Sequence, residues 1–169
     1  MKRVGTWASC IAVCALLLAP QSTKSQQKSL KDEVVGTWIY VSSTAKRDDG
    51  TVEQRPPLQG AVTYTADGHF HFISTVANAP KYASGVRERP SPEEAMSTAS
   101  TALAYMGRYT VDEATRTIHA NIDVSTFPNF VGAPNQRRIV TSITADEMRF
   151  TNPRTASGLT LEIQWKRAK

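Results

Sequence analysis

Short segments in which apolar and polar residues alternate run through most of this chain, and they constrain its fold more than any other feature. The segment from Gly158 to Lys166 is the clearest, because every second residue between Leu159 and Trp165 is apolar. This period of two is typical of a β-strand with one buried and one solvated face. Further strands are predicted at residues 38–44, 60–66, 69–76, 107–111, 117–124, 137–144 and 147–152. Asp67-Gly68, between two of them, predicts a tight hairpin.

One segment has a helical signature instead. Ser91-Pro92-Glu93-Glu94 is a capping box, in which the serine side chain bonds the backbone of the last glutamate and that glutamate reaches back. The proline stands at the first helical position, where its missing N–H costs little. A helix is predicted from this point to about Tyr105. Its apolar side carries Ala95, Ala99, Leu103 and Met106. The small residues indicate a lid or plug that lies close to the rest of the fold.

These elements predict an all-β fold, an eight-stranded antiparallel up-and-down β-barrel with one short helix between strands three and four. Eight antiparallel strands taken in sequence order can close into a barrel just wide enough to hold one small ligand. Closure also removes the unpaired edges that an open sheet exposes. We therefore expect a closed barrel with a cavity, and a helix near one of its openings.

The first 25 residues have the pattern of a secretory signal peptide. A basic start at Met1-Lys2-Arg3 precedes an uncharged, largely apolar run from Trp7 to Ala19. That run is shorter than the ~20 residues that a bilayer requires. We expect cleavage near Ser25 and a periplasmic or secreted protein with no membrane span after cleavage. A flexible N-terminal lead-in is predicted at residues 26–33, followed by a barrel domain at residues 34–167.

Removing residues 1–25 lowers the charge and removes all thiol chemistry. Both cysteines, Cys10 and Cys14, lie in this segment, so the mature chain has no disulfide, thiol nucleophile or cysteine metal site. Three basic residues and no acidic ones leave with it, which lowers the formal net charge from +5 to +2. The chain also lacks a basic stripe interleaved with aromatic residues, so no nucleic-acid partner is predicted.

Four segments in order carry a resemblance to a known family. The chain shows "VVGTWIYVSS", then "PLQGAVTYTADGHF", then the predicted helix, then "YMGRYTV" and "FPNFVGAPNQRR". Gly36-Thr37-Trp38 resembles the Gly-x-Trp that begins the first strand of lipocalin barrels. Over residues 34–166 the ordered set resembles the lipocalin-like domain family of short bacterial and fungal proteins. The resemblance implies a calycin-type barrel and the place of its pocket, and it implies no particular substrate.

The predicted strand at residues 117–124 carries an unusual polar series. His119, Asn121 and Asp123 alternate with three apolar residues. If the polar set faces inward, an imidazole, an amide and a carboxylate line the cavity about 7 Å apart, where they can orient a ligand or transfer a proton. If it faces outward, it forms an ordinary solvated face. Periodicity alone favours the outward orientation, whereas the family resemblance favours polar residues inside.

Tyrosines and the residues around the loop at 127–136 are further candidates for ligand binding. Tyr64, Tyr105 and Tyr109 can each donate a hydroxyl into a cavity or pack as part of its wall. Asn129 lies in the loop, and Gln136 follows it. The predicted ligand-binding set is Tyr64, Tyr109, His119, Asn121, Asp123, Asn129, Gln136 and Arg138.

Two adjacent arginines after this loop have three alternative roles. One of Arg137 and Arg138 is expected to face outward, while the other pairs with Asp123 or binds an anionic ligand through a bidentate contact. The resemblance to lipocalins implies a third role, in which an arginine stacks on Trp38 at the closed end of the barrel, and Arg137, Arg138 and Arg167 are the candidates for it. That role is structural.

The sequence predicts neither a metal nor a cofactor. His69, His71 and His119 are the three histidines of the chain, and no His-Glu-x-x-His motif supports a zinc site. A phosphate-binding glycine loop, a dinucleotide fingerprint and a Gly-x-Ser-x-Gly nucleophile motif are all missing from the sequence.

Three hypotheses about function remain, and the sequence favours a binding protein over an enzyme. The first is an exported protein that binds a small, partly apolar molecule in the barrel cavity. The second is a cofactor-independent isomerase or cyclase that uses His119 and Asp123 as an acid–base pair, assisted by Tyr109. The third is a structural or envelope-interaction protein whose barrel is filled by its own side chains. Fold by itself does not rank them.

Overall fold

The computed structural model describes residues 28–134, 136–155 and 157–169. Its helices are α1 (Leu30–Val34) and α2 (Pro92–Thr101), and a 3₁₀ turn spans Pro128–Phe130. The strands are β1 (Gly36–Lys46), β2 (Val52–Glu53), β3 (Leu58–Tyr64), β4 (His69–Val76), β5 (Leu103–Asp112), β6 (Thr117–Ser125), β7 (Arg137–Ile143), β8 (Glu147–Asn152) and β9 (Thr160–Arg167). The signal peptide predicted at residues 1–25 lies outside the described residues.

Eight of the strands form a closed antiparallel barrel. From β3 to β9 each strand is hydrogen-bonded to its neighbours in sequence order, and β1 pairs with both β3 and β9. Trp38 lies at the closure, since it is paired with Val62 of β3 and with Arg167 of β9. The predicted all-β, eight-stranded antiparallel barrel is confirmed.

The place of the longer helix in the strand order differs from the prediction. Val52 and Glu53 form the short strand β2 against the end of β1, so α2 follows the fourth strand. The prediction of a helix between strands three and four is wrong for this reason. Two residues are too few to produce a period-two pattern, so β2 has no signal in the sequence.

Helix α2 begins as its capping box predicts. The Ser91 hydroxyl accepts a hydrogen bond from the Glu94 backbone N–H, and the Glu94 carboxylate accepts one from the Ser91 N–H. The helix ends at Thr101 rather than near Tyr105, because Leu103 pairs with Ser74 and begins β5. None of its ten residues is buried. The helix is therefore not a plug within the barrel, although its Ser100 contributes to the lining of the barrel cavity.

A short helix occupies part of the segment that the sequence predicts as a flexible lead-in. Ser29 caps α1 by accepting from the Asp32 N–H, and Leu30 and Val34 are 2% and 0% exposed. The Glu113 carboxylate, after β5, accepts hydrogen bonds from the backbone N–H groups of Leu30 and Lys31. Residues 30–33 of the predicted lead-in therefore belong to a helix that packs on the core. A five-residue helix is stabilised by such packing and not by its own propensity.

Trp38 and Arg167 close the barrel end next to α1. The Arg167 guanidinium lies 4.0 Å from the centroid of the Trp38 ring, and it donates to the carbonyls of Val35 and Glu33 at 2.8 Å each. The indole N–H of Trp38 donates to the Val34 carbonyl at 2.8 Å. Of the three arginines that the sequence offers for stacking on Trp38, Arg167 has this role.

Gly36 makes this close approach possible. Its φ of +128° lies in a region that residues with a side chain rarely adopt, and a Cβ there would lie 2.6 Å from Arg167 Nη1. The glycine of the Gly-x-Trp segment is therefore required by backbone conformation and by the arginine that packs over it.

Inward-facing apolar side chains form the core beyond this closed end. The largest fully buried ones are Trp38, Trp165, Phe70, Ile118, Ile122, Met148 and Val34. The aromatic rings of Tyr64 and Tyr109 pack edge to face with their centroids 5.0 Å apart. Toward the loops that follow β6 and β8 the inner side chains leave a cavity. Among the described residues, neither helix has the length and apolar character required to cross a bilayer.

Candidate functional site

A cavity of about 870 Å³ lies inside the barrel. Its walls come from the inner faces of the strands and from the loops that follow β6 and β8. Side chains around it include Tyr40, Leu58, Tyr64, Phe70, Phe72, Ser74, Leu103, Tyr105, Ala120, Phe130, Gln136, Arg138, Phe150, Asn152, Ile163 and Trp165. The volume and the mostly apolar lining are those of a site for one small organic molecule.

An aromatic wall forms one side of the cavity. Tyr105 lies at its centre, stacked on Phe72 with ring centroids 4.5 Å apart and in edge contact with Phe130 at 5.8 Å. Phe72 also contacts Trp165 edge to face at 6.3 Å. Rings that pack on one another in this way have little freedom to move, so the wall presents a preformed apolar surface to a ligand.

Arg138 supplies the one buried positive charge among the described residues that line the cavity. It is 7% exposed, whereas its neighbour Arg137 is exposed, as the alternation along β7 requires. Its Nη2 donates to the Tyr105 hydroxyl at 3.1 Å, and its Nη1 donates to the Arg137 carbonyl at 3.1 Å. The guanidinium is thereby held against the polar tip of the aromatic wall.

No carboxylate neutralises this charge. All 15 acidic residues of the chain lie within the described residues. None of their oxygens comes within 4.0 Å of the Arg138 guanidinium, since the ion pairs of this structure all involve other groups. Burial raises the pKa of the Tyr64 hydroxyl above its ordinary value, although the charge of Arg138 opposes the shift. Tyr64 is therefore neutral at physiological pH and supplies no counter-charge.

Two further polar atoms at the cavity have no hydrogen-bond partner among the described residues. They are the indole Nε1 of Trp165, a residue 1% exposed, and the side-chain Oδ1 of Asn152. Both residues line the cavity. Buried polar groups in folded proteins are nearly always hydrogen-bonded. A donor and an acceptor left open at the same cavity therefore favour an occupant that has polar groups as well as an apolar body.

The sequence of the whole barrel matches a known family. The model of the lipocalin-like domain matches residues 35–168, which is most of the chain. The chain belongs to the lipocalin-like domain family. No curated protein matches it significantly. Membership supports the general function of small-molecule binding, and the particular features of this site come from the geometry described above.

Of the predicted ligand-binding residues, three line the cavity of this lipocalin-like barrel: Tyr64, Gln136 and Arg138. Tyr109 is buried below it, where its hydroxyl donates to the Thr65 carbonyl at 2.9 Å. Burial raises the pKa of Tyr109, and the negative charges of Asp67 and Asp32 add to the shift. Asn129 is exposed on the 3₁₀ turn. Tyr109 and Asn129 are therefore not part of the cavity lining.

The polar series of β6 lies outside the lipocalin-like barrel. His119, Asn121 and Asp123 are exposed, and the amide of Asn121 donates to the Asp123 carboxylate at 3.1 Å. The hypothesis that these side chains face the cavity is wrong, because the register of β6 turns Ile118, Ala120 and Ile122 inward. Burying the apolar set is the more favourable of the two orientations.

Two pairings proposed from the sequence are also corrected. Asp123 lies 4.0 Å from Arg108 Nε on the outer surface, and Arg138 is inside, so the barrel wall separates Asp123 from Arg138. For the same reason, His119 and Asp123 do not form an acid–base pair in the cavity with Tyr109. The exposed histidines His69 and His119 lie on the outer faces of different strands. In the part of the chain that the structure describes, no group of three or more His, Cys, Asp or Glu side chains is placed to hold a metal.

The aromatic wall is the part of the site that the sequence did not reveal as such. Tyr105 was a candidate only as one of three tyrosines, Trp165 was expected on the buried face of its strand, and Phe130 was expected in a loop. Phe130 reaches Tyr105 from the loop after β6, so the contact joins residues that are far apart in the chain. The signal available in the sequence was the period-two alternation, which places Tyr105 and Tyr109 on one face of β5.

Proposed function

We propose that this protein binds a small, partly apolar molecule in the cavity of its barrel. The observation that carries the proposal is the cavity of about 870 Å³ lined by the aromatic wall. Burying an apolar molecule there removes its surface and that of the wall from water, at about 25 cal/mol per Å² of apolar area. The preformed wall limits the entropy that binding costs.

The other two hypotheses have less support. A filled barrel does not agree with a cavity of this size. An isomerase or cyclase that uses His119 and Asp123 requires both side chains to meet a substrate, and both are exposed on the outside of β6. The cavity residues Arg138 and Tyr105 remain suited to holding a polar group, which is a binding role.

We further propose that the chain is exported and works outside the cytoplasm. The basic start and the short apolar run before Pro20 support this. Expression of the full chain with separation of cell compartments tests it. The expected result is a periplasmic or secreted protein whose mass corresponds to the loss of about 25 residues. A full-length protein that stays in the cytoplasm contradicts the proposal.

Binding of N-phenyl-1-naphthylamine, a neutral apolar dye, tests the proposed function. Saturable binding at one site per protein is expected, followed by dye fluorescence. Ala120→Phe places a ring in the cavity and should abolish binding, because Ala120 lines it. Asn121→Phe on the same strand is the matched control, because Asn121 faces solvent, and it should bind the dye as the unchanged protein does.

The folded state of both variants is verified by circular dichroism and thermal unfolding. If Ala120→Phe does not fold, Leu161→Trp fills the cavity from β9, with the exposed Glu162 as the control position in Glu162→Trp. Absence of saturable binding by the unchanged protein contradicts the proposal. Equal binding by a folded cavity-filling variant also contradicts it, because the dye would then bind elsewhere.

A further inference from the structure

We propose that the natural ligand is an amphipathic carboxylic acid whose carboxylate binds Arg138 and Tyr105 while its apolar body lies on the aromatic wall. This inference rests on the proposed function, and it adds the chemical class of the ligand and the two residues that select it. Neither residue is part of the barrel closure, which uses Arg167 and Trp38.

The charge of Arg138 is the first observation. Removing an arginine from water without an opposite charge is unfavourable, and Arg138 is 7% exposed with no carboxylate within 4.0 Å among the described residues. A guanidinium remains protonated in proteins. An anionic ligand at this position supplies the charge that the protein itself does not.

The open hydrogen-bond donors are the second observation. A guanidinium has five N–H donors, and in the described residues Arg138 uses one on Tyr105 and one on the Arg137 carbonyl. The Tyr105 hydroxyl accepts from Arg138, and its own proton has no partner in the same part of the chain. Unused guanidinium N–H groups and a hydroxyl therefore lie next to each other, and the two oxygens of a carboxylate can accept from such donors side by side.

The side chains around Arg138 and Tyr105 indicate the chemical character of the rest of the ligand. The ring of Tyr105 is stacked on Phe72 at 4.5 Å and contacts Phe130 at 5.8 Å. A ligand whose charge lies at the Tyr105 hydroxyl has its next atoms against these rings. Small hydrophilic anions leave this wall uncovered, whereas a carboxylate attached to an aromatic or aliphatic body covers it.

Trp165 supplies an independent indication that the occupant has polar atoms. Its indole N–H is buried without a partner among the described residues, and the residue lines the same cavity. An acid that carries a further oxygen along its body accepts this hydrogen bond. We therefore expect an oxygenated acid to bind more tightly than the plain hydrocarbon acid of equal length.

Displacement of bound N-phenyl-1-naphthylamine tests the inference. The probes are 2-naphthoate with 2-naphthalenemethanol, and decanoate with 1-decanol, so that each pair differs mainly in the charged head group. Each acid should displace the dye at a concentration about tenfold to a hundredfold lower than its alcohol, since a hydrogen bond to a charged group stabilises by about 1.5–3 kcal/mol. Arg138→Gln should remove that preference and leave the alcohols unchanged.

Arg149→Gln is the matched control, because it removes one arginine charge from the exposed face of β8. It should retain the full preference for the acids, which distinguishes a local contact from the general attraction of a positive protein. Arg138→Lys keeps the charge but loses the planar fork, so it should retain part of the preference.

The outcomes separate this inference from the proposed function. If the dye does not bind, the proposed function fails, and the inference fails with it. If the dye binds but acids and alcohols displace it equally, only the assignment of an acid is overturned. A preference for acids that persists in Arg138→Gln also overturns it. If Arg138→Gln does not fold, acids and alcohols are compared on the unchanged protein and on Arg138→Lys. An absent preference for acids in the unchanged protein, or an undiminished preference in Arg138→Lys, then overturns the assignment.

Discussion

Arg138 on β7 and Tyr105 on β5 meet inside the barrel, where the guanidinium Nη2 donates to the tyrosine hydroxyl at 3.1 Å. The two residues are 33 positions apart in the chain and lie on strands that are not neighbours, since β6 separates them. The contact places a fixed positive charge at the edge of the aromatic wall, in a cavity whose lining is mostly apolar. Ligand selection in this protein is expected to depend on this pair.

Removing the Tyr105 hydroxyl should weaken acid binding without abolishing it. Tyr105→Phe keeps the ring in the aromatic wall but deletes one acceptor for Arg138 and one donor for the ligand. We expect the affinity for 2-naphthoate to fall about tenfold, since one hydrogen bond to a charged group is worth about 1.5 kcal/mol. Tyr82→Phe is the control, because that exposed hydroxyl pairs only with Thr98. An unchanged affinity in Tyr105→Phe means that the hydroxyl does not contact the ligand.

Removing Arg167 should destabilise the barrel without altering the choice of ligand. Arg167→Ala loses the contact with Trp38 and the hydrogen bonds to the Val35 and Glu33 carbonyls. The free energy of unfolding, measured with urea, should fall by about 2–4 kcal/mol. The adjacent exposed residue serves as control, and Lys166→Ala should change stability by less than about 0.5 kcal/mol. A loss of acid selectivity in folded Arg167→Ala contradicts the structural role assigned to this arginine.

Glu113 should determine whether α1 stays docked. Its carboxylate accepts from the backbone N–H groups of Leu30 and Lys31, so Glu113→Ala leaves two helix N-terminal donors without this partner. Stability should fall by about 1 kcal/mol, and hydrogen exchange at residues 30–35 should become faster. Glu147→Ala, at an exposed position on β8, should leave exchange at residues 30–35 unchanged. Equal exchange in both variants means that burial of Leu30 and Val34 alone holds the helix.

Alkaline pH should destabilise the protein through Tyr64. Burial raises the pKa of this hydroxyl above its ordinary value of 10.0. Above pH ~10 the unfolded chain loses this proton while the folded chain keeps it, so stability falls as pH rises. Below pH ~10 both states keep the proton, and the contribution is constant. Urea unfolding between about pH 8 and 11 measures this fall in the free energy of unfolding.

Tyr64→Phe removes this proton from both states and should make the alkaline loss of stability shallower. Tyr82→Phe, which changes a partly exposed tyrosine whose hydroxyl pairs with Thr98, should leave the slope as it is. Identical slopes for the unchanged protein and for Tyr64→Phe contradict the assignment of the alkaline effect to Tyr64. The effect is then assigned to Tyr109, whose pKa is also raised by burial.

The elements with strong local signals are the ones that sequence reasoning predicted well. The strand at 69–76 and the strand at 147–152 have the predicted bounds, and the capping box at Ser91 starts its helix as expected. These features depend on residues next to one another in the chain. The helix end was misplaced, because Leu103 gains more from pairing with Ser74 of β4 than from continuing the helix.

The candidate site was predicted only in part. Tyr64, Gln136 and Arg138 line the cavity, but the polar series of β6 does not. A period of two establishes that Asn121 and Ile122 face opposite sides of the strand, but it does not show which side faces the inside of the barrel. The choice was made by pairing with β5 and β7, which turns the apolar residues toward the core.

The sequence alone determined the strands, their order, the hairpin at Asp67-Gly68 and the family of the barrel. Each of these follows from local features, namely alternation, turn residues and short motifs. The tertiary structure decided which arginine has which role. Arg167 stacks on Trp38, and Arg138 is buried at the cavity whereas Arg137 is exposed. Closure of the sheet brings these residues to their partners, and contacts between distant strands leave no pattern in the sequence near either residue.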